Sequence, residues 1–141
     1  MAISTLSRYG LRAMLEIANG SNSNPMSSRQ ISRQEKIPTP YLEQILSRLK
    51  HSGLVRSIRG AQGGYMLGQS ARQITVGDIV TALDGPQSFA DCKRGKCQHE
   101  CGTASPCKAT IFWKKLDKKL NDEIYSTTLQ DIIDDWQEQV R

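Results

Sequence analysis

Apolar residues recur at helical spacing along most of this chain, and the breaks between the periodic stretches fall at Gly, Pro and Ser/Asn runs. Over residues 4–19, Leu6, Tyr9, Ala13, Leu15, Ile17 and Ala18 form one apolar stripe, with Arg8, Arg12 and Glu16 outside it. Ser27 and Gln30 have the spacing of a capping box, which opens a short second helix ending near Lys36. Thr39 is the expected N-cap of a third helix, with Pro40 at its first position, where a missing amide costs nothing. That helix runs to His51 and stops at Gly53. Its Leu42, Ile45, Leu46 and Leu49 face a core. Thr39, Glu43, Gln44, Ser47 and Lys50 point outward, and Tyr41 and Arg48 lie at the boundary.

Two short helices joined by a tight turn, the second polar on its outer face, predict a helix-turn-helix. Leu54–Ile58 and Tyr65–Leu67 then read as strands around the turn Arg59-Gly60-Ala61-Gln62-Gly63-Gly64. A glycine-tipped hairpin carrying Arg59 after a helix-turn-helix is a wing. Thr75 and Asp78 cap a further helix to Leu83, which Gly85-Pro86 terminates. Residues 86–105 show no periodicity. From Ser105-Pro106 a helix restarts, with Ala109, Phe112, Trp113, Leu116, Leu120 and Ile124 on one stripe and Lys114, Lys115, Lys118 and Lys119 outside it. A stripe so long at the edge of a small domain predicts pairing with a partner helix. Thr127 and Gln130 suggest another capping box, followed by a helix with Leu129, Ile132, Ile133 and Trp136 on one side.

The expected fold is mostly α with a small β-hairpin wing. Residues 1–85 form a winged helix-turn-helix domain, 86–105 a cysteine-rich loop, 106–125 a long dimerisation helix, and 126–141 a C-terminal helix packing on the domain. Charge fits this division. Residues 1–72 hold ten Lys and Arg against three acids, whereas 73–141 hold nine against eleven. A basic N-terminal half points to nucleic acid. No apolar run is long enough to span a bilayer, and Arg8, Arg12 and Glu16 interrupt any signal-peptide core, so a cytoplasmic location without membrane partners is expected.

In that compartment thiols stay reduced, which argues against a disulfide framework for Cys92, Cys97, Cys101 and Cys107. Their spacing is C-x4-C-x3-C-x5-C. Thiolates bind soft metals strongly, and Lys93, Arg94 and Lys96 ease their deprotonation. Zinc is chemically open, although paired C-x2-C knuckles are missing. A reactive-thiol redox sensor is open too. No C-x-x-C motif and no acid, base and nucleophile set is present, so no enzyme is expected.

At YLEQILSRLK, GLVRSIRGAQGGYMLG and ITVGDIVTALDGP, and at the opening STLSRYGLRAMLEIA, the chain resembles the winged-helix regulators that include IscR, NsrR and CymR. The resemblance covers nearly the whole sequence. It implies a homodimer paired through the long helix and bound to a near-palindromic operator in double-stranded DNA. On such a duplex the third helix would enter the major groove. Glu43 would accept from cytosine N4 and Gln44 would meet adenine or a neighbouring edge. Thr39, Tyr41, Ser47 and Arg48 would contact the backbone, and Arg59 would enter a narrow minor groove.

The resemblance also implies an iron–sulfur cluster, with 2Fe–2S preferred to 4Fe–4S, on Cys92, Cys101 and Cys107. An exposed cluster is lost to oxygen, so purified protein need not retain it. The fourth ligand departs from the family. IscR-type members have His three residues after the third cysteine, where this chain has Thr110; some nitric-oxide sensors use a first-helix carboxylate, where this chain has Arg8. Cys97 and His99 are the local candidates, and four thiolates are a common cluster shell. The competing expectation is a cluster-free, CymR-like regulator of sulfur or cysteine metabolism.

Overall fold

The computed structural model describes residues 3–20, 24–88 and 107–141. Helix α1 spans Thr5–Gly20, α2 Ser28–Glu35 and α3 Thr39–His51. Strands β1 (Val55–Ile58) and β2 (Gly64–Leu67) form the hairpin. Helices α4 (Val76–Asp84), α5 (Thr110–Ser126) and α6 (Leu129–Gln139) complete the described elements. Among the described residues, no helix is long and apolar enough to cross a membrane.

The α2–α3 corner is built by local chemistry. Ser27 and Gln30 form the capping box, each side chain serving the other's backbone amide. Lys36 takes the left-handed conformation at the C-cap, which turns the chain sharply. Ser32 Oγ donates to the Ile37 carbonyl across that turn. Pro38 occupies the cap position of α3, so Thr39 is not its N-cap; the Thr39 hydroxyl lies 3.1 Å from Ser32 Oγ instead. Leu42, Ile45, Leu46 and Leu49 are fully buried, as their spacing predicts.

The buried face of α1 differs from the apolar stripe. It runs through Ser7, Gly10, Ala13, Met14 and Ile17, while Leu6, Tyr9, Leu15 and Ala18 only flank the core. Close approach of α4 is the reason. A Cβ on Gly10 would lie 2.2 Å from Leu83 Cδ1, and Ser7 is buried while donating to Asp84.

The hairpin is antiparallel, pairing Val55 with Leu67 and Ser57 with Tyr65. Its tip turns at Gly60 (φ 119°), whose carbonyl accepts from the Gly63 amide. Met26 bridges the outer edge of β2 by reciprocal hydrogen bonds with Tyr65, which anchors the hairpin to the α1–α2 connection. Gly64 is required there, because a Cβ would fall 2.4 Å from the Met26 carbonyl.

Thr75 and Asp78 form the capping box of α4, and Gly85 ends that helix at φ 81°. The C-terminal capping box is Thr128 with Asp131, one residue beyond the expected Thr127 and Gln130. Thr127 instead closes α5 by donating to the Glu123 carbonyl. Thr75 bridges Thr128, the Leu129 amide donates to the Ile74 carbonyl, and the Leu129 side chain is fully buried. Along α5 itself, Ile111, Phe112 and Leu120 are exposed and only Asp117 is buried.

Candidate nucleic-acid interface and cysteine segment

Helix α3 presents Thr39, Glu43 and Ser47 one turn apart on its outer face, with Gln44 beside them, and all four are exposed. Arg59 is exposed at the hairpin tip. The geometry thus offers a polar helix face and a charged hairpin in one unit. The two boundary residues are engaged within the protein. Tyr41 is half-buried and meets the Tyr9 ring edge-on at 5.6 Å. Arg48, although exposed, donates through Nη1 to the Leu83 carbonyl at 3.0 Å. Arg29, Arg33, Lys50 and Arg56 are also exposed and extend the positive charge. Of these, only Lys50 was singled out by helical position; the others carry no motif.

Two electrostatic clusters brace this unit. Arg12 binds the Glu35 carboxylate at 2.9 Å, donates to the Glu35 carbonyl, and stacks over Tyr9 at 5.4 Å. Beside it, burial raises the Glu16 carboxyl above its usual value, and the Glu35 charge and a hydrogen bond with Glu35 raise it further. At the far side, partial burial pushes the Asp84 carboxyl up. Hydrogen bonds from the Ser4 and Ser7 hydroxyls and the Ser4 amide, with the Arg48 charge, outweigh that and hold it below its ordinary value. Sequence reading missed this Asp84 cluster, since its members are separated by 77 and 80 positions.

Of the cysteine segment, Cys92, Cys97, His99 and Cys101 lie outside the described residues. Cys107 is exposed and forms no disulfide. Among the described residues, no group of three His, Cys, Asp or Glu is placed to hold a metal. Both flanks of the segment touch α5. Ser88 Oγ donates to the buried Asp117 carboxylate at 2.8 Å, and the Cys107 carbonyl accepts from the Thr110 amide at the head of α5. With a helical rise of about 1.5 Å per residue, Thr110 and Asp117 are about 10 Å apart. The donors that the sequence supplies are soft thiols, and the one described, Cys107, is open to solvent, so the set suits a thiophilic metal or iron–sulfur group. Thr110 supplies no fourth ligand of that kind. Arg8 is exposed on α1, with Nη2 on Thr5 Oγ1.

The family described as "Rrf2: Iron-dependent Transcriptional regulator" matches residues 3–135. The chain belongs to the Rrf2 family of transcriptional regulators. It is 36% identical over 134 residues to the transcriptional regulator IscR of Cronobacter sakazakii, covering 94% of this chain and 80% of that protein. The solved structure of CymR of B. subtilis, described as its global cysteine regulator, superposes with a TM-score of 0.79. It shares 35% identity, over 94% of this chain and 95% of that one. The IscR of T. potens gives the same TM-score, 0.79, at 33% identity over 99% of this chain and 90% of that one. Within this Rrf2 fold, α2 and α3 are the helix-turn-helix and β1–β2 is the wing.

Proposed function

We propose that this Rrf2 regulator binds a near-palindromic DNA operator as a homodimer and adjusts that binding through an iron–sulfur group on its cysteine segment. The exposed α3 face beside the Arg59 wing carries the reading. Glu43 and Gln44 are free to meet base edges, and Ser47 and Arg59 to position the duplex and probe the minor groove, while Thr39, whose hydroxyl lies 3.1 Å from Ser32 Oγ, would add a backbone contact. Arg48 holds the Leu83 carbonyl through Nη1 and keeps its other guanidinium N–H groups for phosphate, and Tyr41 supports the face by packing on Tyr9. The exposed Ile111, Phe112 and Leu120 supply apolar surface on α5 for a second copy.

Cys92, Cys101 and Cys107 would hold the cluster, with Cys97 or His99 completing the shell. When bound, the cluster supplies sensitivity to iron supply or oxidation. The chain contributes the connection. Ser88 and Cys107 attach the segment to α5, and α5 docks on α4 through Tyr125, so the segment and the reading head share continuous elements. Coupling between distant sites is typically about 1–3 kcal/mol, a five- to hundredfold range in affinity.

A cluster-free reading is favoured by two observations: Thr110 stands where IscR-type members have His, and CymR is as similar in structure as IscR. Protein purified without oxygen decides between them. Visible absorption with matching iron and sulfide, and different operator affinity for apo and reconstituted protein at one salt concentration, supports cluster sensing. Colourless protein with equal affinities supports the cluster-free regulator.

A further inference from the structure

Helix α4 is held at both ends by other functional elements. Toward its N-terminal half, the Tyr125 ring of α5 lies over Gly77, and the Tyr125 hydroxyl is 2.5 Å from Thr81 Oγ1. At its C-terminal end, Asp84 gathers the start of α1. Its carboxylate accepts from Ser4 Oγ at 2.5 Å, Ser7 Oγ at 2.7 Å and the Ser4 amide at 3.3 Å. Ser4 in turn caps α1, accepting from the Ser7 amide at 3.1 Å. A carboxylate at a helix N-terminus is stabilised by the free amides and the helix dipole there. The preceding residue, Leu83, presses against Gly10 of α1 and offers its carbonyl to Arg48 of α3.

Arg48 lies one turn beyond Gln44 on α3, so what holds Arg48 limits how α3 can roll and tilt. We propose that Asp84 is a positioning residue for operator recognition: by clasping Ser4 and Ser7 while Leu83 holds Arg48, it sets the angle of α3 against α1 and ties that angle to α5 through α4. Asp84 touches no DNA in this scheme. Its effect falls on the register of Glu43 and Gln44 with the bases, where small misplacements cost specificity before they cost general affinity. The inference rests on the DNA-binding reading above.

The test uses the full chain and a duplex selected by the unaltered protein from a random pool. Affinities for that duplex and for a scrambled duplex are measured at one salt concentration, with melting temperatures alongside. Any gain in general attraction from removing a negative charge acts on both duplexes and cancels in their ratio. Asp84→Ala is expected to lower the selected-to-scrambled ratio about tenfold, within the range for residues that couple separated sites. Asp84→Asn, which keeps an acceptor for the serines, should lie between. If Asp84→Ala does not fold, Ser7→Ala removes one of the clasping bonds and should lower the ratio about threefold. An unchanged ratio in folded variants, even with a lower melting temperature, overturns the proposal, as does an equal loss on both duplexes. Should the unaltered chain select no sequence, the DNA-binding reading fails and this inference with it. A selected sequence with unchanged variant ratios defeats the inference alone.

Discussion

Tyr125 and Gly77 are in contact that only glycine permits: a Cβ at position 77 would lie 2.5 Å from the Tyr125 ring. This contact joins α5 to α4. Gly77→Ala should therefore force the ring away and destabilise the fold by about 1–3 kcal/mol, the usual cost of overpacking. Thermal unfolding measures it. Combining Gly77→Ala with Tyr125→Ala should cost less than the sum of the single changes, because the double variant removes the clash. Strict additivity would show that the two residues do not constrain each other.

Two carboxyls give opposite pH signatures. Glu16 has a folded pKa above its unfolded value, so its contribution is fully present below 4.5 and is lost as pH rises through the folded pKa. Glu16→Gln should thus melt above the parent at pH 7, and the difference should shrink on acidification. Asp84 has a folded pKa below its unfolded value, so its contribution is present above 3.8 and is lost as pH falls through the folded pKa. Asp84→Asn should melt below the parent at pH 7, with the gap closing in acid. Melting curves across that range check both signs.

Glu43→Ala should change base preference more than total affinity, since a good base contact discriminates by about 1–3 kcal/mol. Binding measured across single-base operator variants checks it, and a uniform loss would return Glu43 to the role of a solvated helix charge. Arg59→Ala should weaken binding most on duplexes whose minor groove is narrow, where the negative potential is strongest. Equal weakening on all duplexes would make Arg59 a plain phosphate contact.

Cys107 is exposed just before α5, and the cluster proposal makes it a ligand. Cys107→Ser should abolish visible absorption in protein prepared without oxygen, while Thr110→His, by offering an imidazole in place of Cys97 or His99 as fourth ligand, should make any cluster longer-lived in air. Absorption decay after exposure to air measures both. Unchanged absorption in Cys107→Ser would remove that residue from the ligand set.

What could be read from the chain alone is what local chemistry determines. The Ser27–Gln30 and Thr75–Asp78 capping boxes, the buried row Leu42, Ile45, Leu46 and Leu49, and the glycine-tipped hairpin each depend on residues a few positions apart. These elements were legible, and with them the winged helix-turn-helix and its outward Glu43 and Gln44. Local rules failed where two solutions fitted equally. In Thr127-Thr128-Leu129-Gln130-Asp131, either threonine can cap, and the bridge between Thr128 and Thr75 selects the second. The burial of Ser7 and Gly10, the tie from Arg48 to Leu83, and the clasp of Ser4 and Ser7 by Asp84 were decided only by the tertiary structure. Each joins residues on separate helices, and no periodicity within one helix records which small or polar residue another helix will approach. The sequence determined the polar α3 face and its hairpin; helix packing decided how that unit is held.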